Sequence, residues 1–182
     1  EAQLYRFDPA TQQIVKLLNL AEEGQDRPYA VLGLEQEKLI AIGTVATYGA
    51  VEGALTLYDT VTGQADVYKN IIPNQSVLSL AYKDGKLYGG TTIFGGLGSD
   101  DPAPGSEGKL FVFDVATRQK TFEIAPVPGG TAVSGLLFGP DGNLWGFANG
   151  TLFIFDPVTQ TVIYQDAKFP YDGGREWRNA QL

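Results

Sequence analysis

Three acidic residues lie in the longest Gly-, Pro- and acid-rich stretch of the chain, residues 94–108. They are Asp100, Asp101 and Glu107. Carboxylate oxygens are ligands for Ca²⁺, which takes about six to eight oxygens in a protein site. Their spacing matches no known calcium loop. The stretch therefore predicts either a candidate calcium site or a solvated acidic loop.

Two aromatic residues lie in the corresponding connections of neighbouring repeats. Phe94 opens the long stretch, and Tyr48 lies in residues 44–53, one repeat earlier. An aromatic face is wide, rigid and amphipathic, so the pair is a candidate platform for a sugar ring. In the alternative, both side chains cover the core beneath the loops. The candidate ligand-binding residues are Tyr48, Phe94, Asp100, Asp101 and Glu107.

The chain contains no histidine and no cysteine. Histidine is the usual general base and metal ligand, and cysteine supplies disulfides and thiolate metal sites. Their absence disfavours catalysis, and the sequence assigns no catalytic residue and no cofactor other than the candidate calcium. An enzymatic alternative remains, namely a polysaccharide lyase or hydrolase that uses loop carboxylates and a tyrosine such as Tyr48.

The charge balance limits the partners. The chain carries 13 basic and 21 acidic residues, a net charge of −8, which argues against nucleic acid and anionic membranes. No run of 18 apolar residues is present, so no membrane insertion is predicted. The chain also lacks methionine, even at its first position. This predicts a processed product or part of a longer protein.

One strand–turn–strand pattern occurs four times along the chain. Each copy is an apolar and aromatic run, an Asp-x-x-Thr turn and a second β-rich run. An aspartate at the first turn position accepts hydrogen bonds from backbone N–H groups two or three residues later. These aspartates are therefore predicted to be turn residues and not catalytic ones. They are Asp8, Asp59, Asp114 and Asp156.

The repeats have the length of propeller blades. The shortest interval, from Asp114 to Asp156, is about 42 residues, which accommodates four strands. The predicted fold class is all-β: a β-propeller, or a propeller segment, of about four four-stranded antiparallel blades. It either closes alone or forms part of a larger ring. The predicted single domain, residues 1–182, comprises a half blade (1–20), three blades (29–70, 76–125, 132–167) and the first strand of a further blade (175–182).

Two motifs resemble those of known propeller families. Residues 59–63, Asp-Thr-Val-Thr-Gly, resemble the D-x-x-T-G turn of quinoprotein-like and YVTN-type propellers. Residues 139–145, Gly-Pro-Asp-Gly-Asn-Leu-Trp, resemble a stretch of streptogramin-lyase-like propellers. The resemblance implies a propeller fold. The lyase-like enzymes use a catalytic histidine, which this chain lacks, and quinoprotein enzymes usually have a docking tryptophan where residues 66–68 are Asp-Val-Tyr.

Composition and resemblance together favour a non-catalytic module. The first hypothesis is a binding or interaction module of a larger, secreted bacterial protein, extracellular or at the cell surface, whose loops recognise a glycan or a protein. Another hypothesis is a structural segment that completes a ring with a second copy or with the rest of a longer parent chain. Open sheet edges invite such pairing.

Overall fold

The computed structural model describes residues 2–169, which form an all-β fold. Its strands make one two-stranded and three four-stranded antiparallel sheets, and within each sheet the paired strands are consecutive in sequence. This confirms the predicted fold class, a β-propeller segment built from four-stranded antiparallel units. The strand predicted at 175–182 lies outside the described residues. No helix in the described part of the chain is long and apolar enough to cross a membrane.

The chain begins with a two-stranded sheet, the half sheet. Its strands are β1 (Gln3–Asp8) and β2 (Gln13–Asn19). A short 3₁₀ helix, Leu20–Glu23, follows and ends at Gly24, whose φ is +74°. Ala2 and Leu20 pack on Ile42 of the next sheet, and this contact fastens the half sheet to its neighbour.

The three four-stranded sheets follow in order. The first sheet comprises β3 (Gln25–Leu34), β4 (Leu39–Ala46), β5 (Ala54–Asp59) and β6 (Ala65–Lys69). The second sheet comprises β7 (Ser76–Lys83), β8 (Lys86–Thr92), β9 (Leu110–Asp114) and β10 (Gln119–Ile124). The third sheet comprises β11 (Val133–Phe138), β12 (Leu144–Ala148), β13 (Thr151–Asp156) and β14 (Thr161–Ala167).

The strand β3 begins earlier than the sequence predicts. Gly24 and Pro28 disfavour regular secondary structure, so the sequence predicts a loop over residues 21–28. The structure instead places a helical turn at the start of this region and the strand from Gln25 onward. Pro28 is tolerated because β3 is the edge strand of its sheet and its register shifts beside the proline.

Consecutive four-stranded sheets pack face to face along the chain. Strand β7 contacts β3 and β4 of the preceding sheet, and β11 contacts β7 and β8 in the same way. One apolar cluster lies between the first and second sheets and includes Leu57 and Phe113. Another lies between the second and third sheets and includes Leu110 and Phe155. Strand β7 is largely buried and β10 largely exposed, so the second sheet runs from a buried first strand to an exposed fourth strand.

The four repeated aspartates are turn residues, as predicted. In each turn the carboxylate accepts a backbone N–H from a residue two or three positions later, with shortest N–O distances of 2.7–2.8 Å. These hydrogen bonds hold the pKa of each carboxyl below its ordinary value, since they favour the charged form. The residues are Asp8, Asp59, Asp114 and Asp156.

The turn carboxylates predict acid sensitivity. Each has a lower pKa in the folded chain than the ordinary value of 3.8, so its stabilising contribution is complete above that value. It is lost as the pH falls through the folded-state pKa. Changing all four aspartates to asparagine should therefore flatten the fall in the free energy of unfolding below about pH 4. Urea unfolding between pH 7 and acid pH measures this, with exposed Glu35→Gln as control; an unchanged pH profile would contradict it.

The residue after the turn threonine adopts a left-handed conformation in all four hairpins. It is Gly63 in one hairpin (φ 73°), and elsewhere Gln12, Arg118 and Gln160 (φ 55–60°). A side chain in this conformation costs about 1 kcal/mol. Gln160→Gly should thus raise the free energy of unfolding by about 0.5 kcal/mol, and Gly63→Gln should lower it by about 1 kcal/mol. Urea titration measures both, and effects of the same sign would refute the explanation.

Candidate functional site

Two loops from neighbouring sheets are joined to each other. The long loop, residues 93–109, connects β8 to β9, and the short loop, residues 47–53, connects β4 to β5. The Gly96 N–H donates a hydrogen bond of 2.8 Å to the Ala50 carbonyl. A Cβ atom at Gly96 would lie 2.0 Å from the Thr47 carbonyl oxygen, so a larger residue cannot fit without moving a loop. The two loops therefore form one surface.

A cleft of about 300 Å³, the loop cleft, lies between these loops and the segment before β7. Its walls combine carboxylate, amide and apolar side chains. No aromatic or basic side chain is among the described residues that line it. The lining residues important here are Val51, Gln75, Ile93, Asp100, Asp101 and Pro102.

A buried glutamine fixes one wall of the loop cleft. The Gln75 side chain is 8% exposed. Its Oε1 accepts a hydrogen bond from the Thr91 hydroxyl, and its Nε2 donates to the Glu107 carbonyl at 2.9 Å. Gln75 thus ties the start of β7 to β8 and to the backbone of the long loop.

The same link occurs one sheet earlier. The Thr44 hydroxyl donates to Gln25 Oε1 at 2.7 Å, and Gln25 Nε2 donates to the Glu52 carbonyl at 3.0 Å. Gln25 and Gln75 are loop-anchoring residues that the sequence did not indicate, because each lies in a polar stretch without a local motif. Aligning the repeats on their turn aspartates does not superpose the two glutamines, since Gln25 lies 34 residues before Asp59 and Gln75 lies 39 residues before Asp114.

The structure separates the three predicted acidic residues. Asp100 and Asp101 both line the loop cleft. Glu107 instead accepts the Gly129 N–H at 2.8 Å and pairs with Lys109 at 3.5 Å. The Gly129 hydrogen bond is the main cause that holds the pKa of Glu107 below its ordinary value. Glu107 therefore fastens the long loop to the turn before β11.

The two predicted aromatic residues have different environments. Tyr48 is 78% exposed, and its ring lies over Gly98, where a Cβ atom would come within 2.5 Å of Tyr48 Cζ. Phe94 is half-buried, and its N–H donates to the Thr92 hydroxyl at 3.3 Å. Neither side chain lines the loop cleft. A sugar-binding role for this pair stays a prediction.

The geometry gives the calcium hypothesis no support. Within residues 2–169, no three carboxylates converge on a point where a metal ion could be held. Asp100 and Asp101 share the loop cleft, but Glu107 is engaged by Gly129 and Lys109. We therefore consider the loop cleft as a site for an organic or protein ligand.

Comparison with known proteins yields structural neighbours. No protein-family model and no curated protein sequence matches the chain. A chain of the mitotic checkpoint complex matches 93% of this chain at 14% identity, with a TM-score of 0.67 over 45% of its own length. The extracellular domain of a putative hybrid two component system from B. thetaiotaomicron matches 87% at 18% identity, with a TM-score of 0.53 over 18% of its own length. The chain thus spans less than half of either neighbour; both are propellers, and the chain has a β-propeller-like fold.

Proposed function

We propose that the chain is a protein-interaction module whose loop cleft receives a basic side chain of a partner protein. The observation that carries this proposal is the mixed lining of the cleft. Asp100 and Asp101 supply negative charge, and Val51, Ile93 and Pro102 supply apolar walls. A lysine or arginine has an apolar stem and a cationic head, so its two parts match the two kinds of wall.

The charge and size of the site support the same ligand. The chain carries a net charge of −8, which attracts cationic partners over a distance and speeds their encounter. The cleft volume of about 300 Å³ suits one or two side chains. One of the propeller neighbours belongs to a multiprotein complex, which agrees with interaction as a general role.

Catalysis by the loop cleft has less support. The lyase or hydrolase hypothesis requires carboxylates beside a tyrosine or an arginine. No tyrosine or arginine is among the described residues that line the loop cleft. We therefore place a binding role ahead of the enzymatic alternative.

A glycan ligand is the second candidate. The observation in its favour is Tyr48, whose ring is 78% exposed beside the long loop. A sugar would stack on this ring outside the cleft, since no described aromatic residue lines the cleft itself. The two ligands therefore depend on different residues, which makes them separable by mutation.

We also propose an extracellular location, as part of a secreted or cell-surface bacterial protein. The observation in its favour is the neighbour from B. thetaiotaomicron, which is itself an extracellular domain. Localising the full-length parent protein by cell fractionation tests this, and recovery in the cytoplasm would refute it.

The decisive experiment measures peptide binding by fluorescence anisotropy. Peptides that carry a lysine or arginine between apolar residues should bind, and Asp100→Asn/Asp101→Asn should weaken them about tenfold. The matched control, Glu35→Gln/Asp84→Asn, removes two exposed charges elsewhere and should leave the affinity nearly unchanged. Equal loss in both variants, or no binding of basic peptides, would overturn the proposal. Glycan-array binding that Tyr48→Ala abolishes would instead favour the second candidate.

A further inference from the structure

A second cleft, the turn cleft, lies between hairpin turns of the first and second sheets. Its volume is about 330 Å³, which is near the small end of the range for ligand pockets. Strand β4 begins at this cleft and ends at the short loop, so the turn cleft and the loop cleft lie at opposite ends of the sheets. The lining residues important here are Glu37, Leu39, Asp59, Gly85, Val115 and Arg118.

Main-chain hydrogen bonds join the turns that form the turn cleft. The Thr60 N–H donates to the Lys38 carbonyl at 2.9 Å, which connects the two turns of the first sheet. The Val115 N–H donates to the Gly85 carbonyl at 3.0 Å, which connects the two turns of the second sheet. The walls are therefore fixed by contacts within the chain, and a ligand would enter a largely preformed site.

Two buried charged atoms of opposite sign belong to residues that line the turn cleft. Glu37 Oε1 accepts a hydrogen bond from the Tyr82 hydroxyl, whereas Glu37 Oε2 and Arg118 Nη1 make no hydrogen bond within residues 2–169. Arg118 Nη1 forms an ion pair with Asp66 Oδ2, but at 4.0 Å this contact is too long for a hydrogen bond. Buried polar atoms in proteins nearly always have a hydrogen-bond partner. A ligand with a donor for Glu37 and an acceptor for Arg118 would supply both bonds.

The second carboxylate of the lining is already engaged. Asp59 Oδ1 accepts the Val61 and Thr62 N–H groups at 2.7 and 2.9 Å. Asp59 therefore adds negative charge, while Glu37 offers the ligand an acceptor. Two carboxylates and one guanidinium give the lining a net charge of −1. A ligand that has a net charge of about +1 and also contains a carboxylate matches this set of groups.

We propose that the turn cleft binds a basic amino acid, with its carboxylate on Arg118 and its side-chain cation on Glu37 Oε2. Leu39 and Val115, both 5% exposed, supply apolar surface for the methylene stem. Free arginine and lysine carry a single net positive charge, whereas the C-terminal basic residue of a peptide has the same two groups without the ammonium. The charge of the lining favours the free amino acid, and the test separates the two sources.

The interface between the second and third sheets shows how a cation is held between such turns. Lys83, at the end of β7, donates from Nζ to the Gly142 carbonyl at 3.0 Å, in the turn before β12. The same Nζ lies 5.1 Å from the centroid of the Phe138 ring. A basic side chain of the chain itself thus bridges the two turns. The turn cleft lies between the equivalent turns of the first and second sheets, where Glu37 supplies an acceptor and the ligand supplies the cation.

The test measures the binding of arginine and three analogues to the full chain by isothermal titration calorimetry. L-Arginine should bind with a dissociation constant of about 1 mM or below. L-Citrulline, which lacks the cationic side chain, and L-argininamide, which lacks the carboxylate, should each bind about tenfold more weakly. Weaker binding of Nα-acetyl-L-arginine than of arginine identifies the free amino acid as the ligand, and equal or tighter binding identifies a C-terminal basic residue.

Two substitutions should each remove one of these preferences. In Glu37→Gln, arginine and citrulline should bind nearly equally, because the carboxylate that selects the cation is gone. In Arg118→Gln, arginine and argininamide should bind nearly equally. Glutamine suits the left-handed backbone at this position, since Gln12 and Gln160 occupy it in other hairpins. A misfolded variant would lose all binding, whereas each of these variants should keep the preference that the other loses.

The matched control is Arg6→Gln/Glu35→Gln, which removes one exposed charge of each sign elsewhere and should leave all affinities unchanged. Three results would overturn the inference. They are absence of binding of arginine and Nα-acetyl-L-arginine at about 10 mM, equal binding of arginine and citrulline to the unaltered chain, and loss of arginine binding in Asp100→Asn/Asp101→Asn. The last result would place the ligand in the loop cleft. Because the two clefts share no lining residue, failure of this inference and failure of the proposed function are distinguishable.

Discussion

Gly89→Val is expected to lower the free energy of unfolding by about 3 kcal/mol. A Cβ atom at Gly89 would lie 2.1 Å from Phe111 Cζ, and Phe111 is fully buried between the first and second sheets. The ring cannot move aside without disturbing its neighbours, so the added atoms create strain. Urea unfolding followed by tryptophan fluorescence measures the effect.

The matched control is Gly33→Val. Gly33 lies in β3, is exposed, and has nothing within 4 Å of its Cβ position. Valine suits a strand, so the control should be neutral or slightly stabilising. A large loss in this control would mean that any branched side chain in a strand of this protein destabilises it, and the contact with Phe111 would then explain nothing.

A double substitution tests whether each strand pair needs one large and one small residue. Gly89→Ile/Phe111→Thr copies the Ile42–Thr56 pair of the first sheet into the second sheet. We expect it to recover more than half of the stability that Gly89→Ile loses. If the stability losses of Gly89→Ile and Phe111→Thr simply add in the double variant, the two residues are not coupled, and the large residue does not require a small partner.

Gln75→Met is expected to have the second-largest effect, a loss of about 2 kcal/mol in the free energy of unfolding. The change keeps the size of the side chain but leaves the Glu107 carbonyl and the Thr91 hydroxyl without the hydrogen bonds that Gln75 provides. The long loop also loses a fixed point, so binding of basic peptides in the loop cleft should weaken about tenfold.

Gln25→Met separates the loss of stability from the loss of peptide affinity. Gln25 makes the same two hydrogen bonds in the preceding sheet, to Thr44 and to the Glu52 carbonyl. It should therefore cost about the same stability. Gln25 does not line the loop cleft itself but holds the short loop beside Val51, so peptide affinity should fall less than in Gln75→Met. If both variants lose peptide affinity equally, the loss follows from general destabilisation.

The sequence predicted those parts of the fold that depend on neighbouring residues. The repeated Asp-x-x-Thr turns were found because the aspartate bonds to backbone groups two or three residues away. The start of β3 was missed for the opposite reason. Gly24 and Pro28 indicate a loop locally, whereas Gln25 is held in the strand by Thr44 and by the Glu52 carbonyl, far along the chain.

The candidate site was predicted in part. Asp100 and Asp101 line the loop cleft, and their acidic stretch was recognised from composition. Glu107 accepts a hydrogen bond from Gly129 instead of lining the cleft with Asp100 and Asp101. This contact depends on the packing of the long loop near the third sheet, which no local motif encodes. The ring of Tyr48 lies over Gly98, about 50 residues later, and spacing in the sequence does not indicate such a contact.

Pairing between strands adjacent in sequence has a kinetic consequence. Because each sheet forms from consecutive strands, every strand pairing within a sheet closes only the loop between two neighbouring strands. The contacts between sheets also join consecutive units, such as β4 with β7 and β7 with β11. The sheets can therefore assemble one after another as the chain leaves the ribosome, with each completed sheet serving as the surface on which the next one folds.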